Sequence, residues 1–195
     1  MLGHLYEHGL SVDKNMPAAF QCFKKASELG CVKSTTKLGH MYYSGVKQSS
    51  GEEFLSNEEI LAMNSSQIEC VSTEEDLPIS NEQYFVAPSR HEALKMYYKA
   101  GKRGDSEACN CAALIIEREN PVEAVNLYKR ALELNERNTM AMFNMALLYY
   151  NKRDEAEWHI EAVKMMRRAA LLGNEQAIGY LQDRGISIIS DNFVG

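Results

Sequence analysis

The sequence predicts an all-α fold, specifically a right-handed superhelical α-α solenoid, from three features. Small and large apolar residues recur at helical spacing through most of the 195 residues, as in Ala141, Met145, Tyr149 and Ala162, Met165, Met166, Ala169, Ala170, so each helix carries one apolar stripe. The stripes come in pairs that repeat along the chain. No segment reads as a strand.

The repeats justify the elements in order. The first runs Leu2-Gly3-x-x-Tyr6-x-x-Gly9 and then Ala19-x-x-Cys22-Phe23-x-x-Ala26-Ser27-x-x-Gly30. The second starts at Leu38-Gly39-x-x-Tyr42-x-x-Gly45, is interrupted, and resumes at Ala93-x-x-Met96-Tyr97-x-x-Ala100-Gly101-x-x-Gly104. A shortened third copy has Ala108-x3-Ala112-Ala113 and Ala124-x-x-Leu127-Tyr128-x-x-Ala131. The fourth has Ala141-x3-Met145-Ala146-x-x-Tyr149 and Ala162-x-x-Met165-Met166-x-x-Ala169-Ala170-x-x-Gly173, and Ala177-x3-Leu181 begins a final half. We call the two helices of each copy A and B. Gly30, Gly104 and Gly173 each follow a helix B, where a left-handed residue ends a helix cheaply. Pro17 and Pro121 stand near helix B starts, where the missing N–H costs nothing. Gly3, Gly39 and Ala113 are expected to let a neighbouring helix approach closely. A single pair cannot bury its second face, so successive pairs must stack.

This pattern resembles the Sel1-like repeat, a relative of the tetratricopeptide repeat. In the first and fourth copies the interval from tyrosine to helix B alanine is identical, Tyr6 to Ala19 and Tyr149 to Ala162. The third copy departs, with Ala112-Ala113 where Leu-Gly is usual, and the fourth lacks both loop glycines. The organisation expected is a repeat array over 1-46 and 91-186, with repeats at about 2-33, 34-104, 105-135 and 136-173 and a capping helix at 174-184. An acidic insertion fills 47-90, and 187-195 is a tail that folds back on the last helices or frays.

The insertion is a change in composition. Of a net charge of −6, residues 47-90 carry a surplus of seven negative charges, leaving the remainder near +1. Ser/Asn clusters, Pro78 and Pro88 predict a mostly disordered loop, in which Leu55 to Met63 is a candidate short helix and Tyr84-Phe85-Val86 a segment able to dock. Ser50, Ser56, Ser72 and Thr73 precede carboxylates and resemble sites of acidophilic kinases such as casein kinase 2, where phosphate would add to a negative loop.

Composition excludes several classes of function. No dense Lys/Arg stripe exists, so a nucleic-acid partner is not expected. Apolar runs such as Ala112 to Ile116 are far too short to cross a bilayer, and the start is not a secretion signal. Five cysteines at unrelated spacings argue against a disulfide framework and for a reducing, cytoplasmic setting. Cys109-x-Cys111 points to two faces of one helix and lacks a second pair at zinc spacing. There is no phosphate loop, G-x-S-x-G or His-Glu-x-x-His, so neither catalysis nor a cofactor is expected.

Tetratricopeptide-like arrays turn helix A to their hollow face, and the resemblance carries that face onto this chain. The expected partner-binding residues are His4, His8, His40, Tyr43, Asn110, Leu114, Arg118, Phe143, Leu147, Tyr150 and Asn151, with Glu7, Thr36, Ser44, Glu117 and Gln176 beside them. Exposed rings at Phe143 and Tyr150 would anchor a peptide, unless they pack on the next repeat or the tail. His4 and His8, four apart, can share a metal with Glu7 or His40, although solvated histidines are the reading preferred and no metal is assigned. Trp158 is expected to pack on the helix before it, and His91 and His159 to be solvated or to cap.

The function expected is a non-enzymatic scaffold or adaptor holding a peptide or protein surface, with self-association through the short first helix as a further possibility. Sel1-like proteins as a family serve in signalling, membrane-associated degradation and cell-wall synthase activation, and the resemblance implies only that range. The alternative is a regulatory or substrate-docking region of a larger enzyme, as in elongation factor 2 kinase. A hydrolase activity like that claimed for cysteine-rich bacterial relatives is disfavoured, because the regular cysteine pairs are missing.

Overall fold

The computed structural model describes residues 2–47, 84–151 and 156–189. Among these it contains nine helices: α1 (Leu2–His8), α2 (Met16–Glu28), α3 (Val32–Ser44), α4 (Arg90–Lys102), α5 (Ser106–Ile116), α6 (Pro121–Leu134), α7 (Thr139–Tyr150), α8 (Ala156–Leu171) and α9 (Glu175–Asp183). Consecutive helices pack as antiparallel pairs, α1 with α2, α3 with α4, α5 with α6 and α7 with α8, and α9 closes on α8. Each B helix also packs on the next A helix, and A helices touch across repeats at α3/α5 and α5/α7. The stripe residues Leu38, Met145 and Leu181 occupy matching buried positions.

In the first two repeats, one close contact sets the distance between the helices. The same helix B position holds Phe23, Tyr97, Tyr128 and Met166, all buried, and the first two lie over an A-helix glycine. A Cβ on Gly39 would sit 2.5 Å from the Tyr97 ring, and one on Gly3 would sit 2.9 Å from the Phe23 ring. The glycines therefore admit the aromatic ring of their own repeat's B helix. The expectation of a close approach holds, with a side chain and not a helix backbone as the approaching group.

Between repeats the chain turns at glycine and re-enters a helix at a polar cap. Gly30, Gly104 and Gly173 have φ of +93°, +93° and +89°, a region other residues enter only at a cost. At each turn the following residue donates its N–H five residues back, Cys31 to Ala26, Asp105 to Ala100 and Asn174 to Ala169, which is the Schellman closure. Asp105 then caps α5 through the N–H groups of Glu107 and Ala108, and Asn138 and Asn174 cap α7 and α9 through Ala141 and Ala177.

These caps also reach backward, each to the start of the preceding A helix. Thr36 donates its hydroxyl to Asp105 Oδ2 at 3.1 Å, and Lys33 Nζ lies 3.3 Å from the same oxygen. The Asn138 amide donates to Ser106 Oγ at 2.8 Å, and that of Asn174 donates to Thr139 Oγ1 at 3.4 Å. One side chain thus ends the orphan N–H groups of its own helix and ties its repeat to the last one. Cys31 makes no such cap; there, Lys37 of α3 pairs with Glu7 of α1 at 3.0 Å.

Contrary to the expectation of no strand, two short strands are present. Val46–Lys47 (β1) and Tyr84–Val86 (β2) pair antiparallel, with Val46 opposite Val86. The two ends of the insertion leave and rejoin the array side by side, which brings their backbones within ladder distance. Val46 is buried, and Phe85 and Val86 pack with Phe20 and Tyr42, so the docking expected of Tyr84-Phe85-Val86 occurs as a strand. The Ser89 N–H then donates to the Tyr42 carbonyl at 2.7 Å and the Ser89 hydroxyl caps α4. Leu55 to Met63, and Ser50, Ser56, Ser72 and Thr73, lie outside the described residues. At the other end Ile186 and Ile188 pack on the core and Arg167 donates to the Ser187 carbonyl, which brings the described part of the tail back onto α8.

Two expectations follow from this packing. Gly39→Ala forces a methyl group into the Tyr97 ring and should destabilise the protein by roughly 1–3 kcal/mol, with the loss partly recovered in Gly39→Ala/Tyr97→Leu; urea melts read both. A Gly39→Ala protein as stable as the parent would contradict the contact. Among the thiols, Cys31 is exposed and accepts a hydrogen bond from the Ser34 hydroxyl, and the Ser34 side-chain and backbone bonds pull its pKa down. Burial pushes the Cys109 thiol up and takes that of Cys111 to about 12. In the folded protein at pH 7.5, iodoacetamide should alkylate Cys31 first of the described thiols and Cys111 more than about a hundredfold more slowly; comparable rates, read by peptide mass spectrometry, would be inconsistent with that burial.

Candidate functional site

The face built by α1, α3, α5, α7 and α9 takes its character from where the B-helix rings end. Tyr97 crosses its repeat and its hydroxyl meets His40 Nδ1 at 2.8 Å, while burial drives the Tyr97 pKa far up. The Glu107 carboxylate of the next repeat, 3.3 Å from Nε2, can only accept, so Nε2 donates to it and the Nδ1 of a neutral ring accepts from the Tyr97 hydroxyl. Tyr128 donates in the same way to Glu117 at 3.0 Å. In the first repeat Phe23 has no hydroxyl, and its ring instead meets the His4 ring edge-on, with centroids 5.1 Å apart. Buried aromatics thus orient polar groups on the A-helix surface.

The expected binding residues divide by position. Tyr43 is 53% exposed and Leu114 is 49% exposed; they stand on adjacent A helices, with Arg118 also exposed beside Leu114. His4 and His8 are exposed, His40 is half-buried between Tyr97 and Glu107, and Asn151 is exposed. Three residues expected at the surface are inside. Asn110 is 7% exposed because its side-chain carbonyl accepts from the Asn144 amide at 3.0 Å, joining α5 to α7. Thr36 is turned into the Asp105 cap. Phe143 is 7% exposed because α9 lays Tyr180 edge-on against it, with centroids 6.0 Å apart.

The aromatic end of the face is closed by the capping helix. Leu147 and Tyr150 are half-buried, and Tyr150 meets both His159 and Tyr180 edge-on. The Arg184 guanidinium covers Tyr180 at 3.7 Å and lies 5.7 Å from the Tyr150 ring centroid, a cation–π arrangement. Of the two readings of these rings, packing on the following element describes Phe143 and Tyr150. Trp158 lies on Tyr149 of the preceding helix, as expected, with centroids 4.7 Å apart.

At the opposite end, three side chains of α1 converge. Glu7 Oε2 is 3.2 Å from His4 Nδ1 and 3.5 Å from His8 Nε2, and the two imidazole rings stack at 6.2 Å within 6° of parallel. Burial works against the Glu7 carboxylate, but Lys37 on Oε1 and the two histidines outweigh it and hold its pKa below the usual range. His40 is occupied with Tyr97 and Glu107 and takes no part. Next to this group a groove of about 380 Å³ is lined by Leu2, His4, Cys22, Phe23, Leu29 and Cys31.

Sequence reasoning missed Lys37, Glu107 and the Tyr180/Arg184 cover. It also missed the latching caps, although a signal was present: Asp105, Asn138 and Asn174 each stand three residues before the alanine that opens an A-helix stripe, Ala108, Ala141 and Ala177.

Comparison with known proteins agrees with the architecture. No curated protein matches the chain. A crystal structure of a Sel1 repeat protein from Oxalobacter formigenes superimposes with a TM-score of 0.63 at 23% identity, over 98% of this chain and 66% of that one. The crystal structure of c5321, described as a protective antigen present in uropathogenic Escherichia coli strains and displaying an SLR fold, gives a TM-score of 0.65 at 18% identity, over 96% of this chain and 34% of that one. The chain therefore spans under two thirds of the first protein's length and about a third of the second's, and at these identities the likeness is one of fold. The family model of the Sel1 repeat matches residues 1–31, 81–105, 114–136 and 139–174, together more than half of the sequence. It passes over α3, the helix whose repeat is split by the insertion, and most of α5, yet both pack on their partners, α4 and α6, as the other A helices do. With its helices in sequential pairs and the family model matched over more than half of its length, this chain belongs to the Sel1 repeat family.

Proposed function

We propose that the chain is a non-enzymatic scaffold or adaptor that holds a peptide or a protein surface against the face made by its A helices. The observation that carries this reading is that Tyr43 and Leu114, large side chains about half exposed, stand on the touching A helices α3 and α5, with the polar His40 one turn before Tyr43 on its helix. Surface apolar groups set among polar ones are the usual composition of a binding patch, and aromatic anchors contribute a disproportionate share of affinity. A Sel1 repeat fold is typically an interaction module, which supports the same reading. The rings at Phe143 and Tyr150 enter it differently from the sequence expectation: they hold the capping helix and so keep the face in shape.

The proposed anchor lies in the middle of the array, on α3 and α5, and not at the aromatic end. Affinity capture from a lysate of the source cells, with wild type beside Tyr43→Ser/Leu114→Ser, should lose the specifically retained proteins at an unchanged melting temperature. Phe143→Ala should instead lower stability by about 3–5 kcal/mol, the range for removing a buried phenylalanine. Recovery of the same proteins by the Tyr43/Leu114 variant and the wild type would show that this patch is not the binding surface.

A further inference from the structure

In the cluster on α1, two donor separations match those of a metal site. In a tetrahedral zinc site, bonds of about 2.0–2.1 Å to nitrogen and carboxylate oxygen set neighbouring donors roughly 3.3 Å apart. Glu7 Oε2 stands 3.2 Å from His4 Nδ1 and 3.5 Å from His8 Nε2, so two edges of such a tetrahedron already have the required length. The three donor atoms all lie within 4.8 Å of one another, and the remaining edge closes by small rotations of exposed side chains. We propose that His4, Glu7 and His8 form a binding site for a divalent first-row cation, with zinc the best match to two imidazoles and one carboxylate.

The surroundings hold the donors in place. His4 is braced by the edge of the buried Phe23 ring, and Phe23 is seated against Gly3 of the same short helix. Lys37 Nζ occupies Glu7 Oε1 at 3.0 Å and so leaves Oε2 aimed between the two rings, the kind of outer contact that orients a metal-binding carboxylate. The Lys37 charge opposes the cation and limits affinity, but it contacts the oxygen that the metal does not use. A cation here replaces the protons that otherwise bridge Glu7 to the histidines. It keeps at least one coordination position open to solvent, because His4 and His8 are each more than half exposed. That open position suits a carboxylate, imidazole or thiolate donated from outside the chain.

The test is titration of the whole protein with zinc chloride by calorimetry, with the thiols controlled. Cys22 and Cys31 line the neighbouring groove and are the competing ligands, so Cys22→Ser/Cys31→Ser is the background. In that background one zinc ion per chain is expected, with affinity falling by about tenfold or more in His8→Asn and in Glu7→Gln and unchanged in His91→Asn. The side chain of His8 is 57% exposed, and circular dichroism of His8→Asn should match the parent. Cobalt substitution should give a visible spectrum without the intense near-ultraviolet thiolate band. Absence of zinc binding in the background protein would overturn the proposal, as would affinity that is indifferent to His8 and Glu7.

Discussion

The interaction on which this fold depends is the polar cap that opens one A helix and reaches back to the one before it. A two-helix repeat has no core of its own and gains stability from its neighbours. Alanine stripes are well suited to close packing, but they carry little information about sliding or rotation of one pair against the next. Asp105, Asn138 and Asn174 supply that information, because each satisfies the backbone of its own helix and a side chain of the previous repeat at once. Displacing a repeat would strand both sets of hydrogen-bonding groups, and buried groups left without partners cost far more than the bonds contribute when made. The positive-φ glycines before Asp105 and Asn174 deliver these residues to the same place each time.

Much of the architecture is legible in the sequence because it is periodic. Leu38, Met145 and Leu181 could be placed in the core from their spacing, and Gly30, Gly104 and Gly173 could be assigned to helix ends from their position after the stripe. Features outside the period were harder to read. Val46 and Tyr84 to Val86 pair only because the insertion returns to its point of departure, a contact no local pattern encodes. Asn110 and Asn144 look like surface residues singly, and only their meeting across two helices makes burial affordable. By sequence Phe143 falls in the groove, because the repeat pattern assigns its helix face but is blind to Tyr180, which a different element lays over it.

The same separation explains how the surface acquires its chemistry. Buried rings at one helix B position extend through the first three repeats, and their ends select what stands on the other side: an imidazole over Phe23, an imidazole bonded to Tyr97 and a carboxylate bonded to Tyr128. Core and surface are therefore linked residue by residue. The face becomes graded, with imidazoles and Glu7 at the first repeat, Tyr43 and Leu114 in the middle, and a closed aromatic end beneath Arg184.

The central claim is that the cap residues couple neighbouring repeats, and a double-mutant cycle on Thr36→Val and Asp105→Ala measures it directly. Each single change removes the 3.1 Å bond between α3 and the start of α5, and Asp105→Ala also removes a cap, which the cycle subtracts. The account predicts a coupling energy of about 1–2 kcal/mol in urea unfolding, the range for a hydrogen bond to a charged group. Additivity within about 0.3 kcal/mol would mean that the repeats are held by apolar packing alone, and would contradict it.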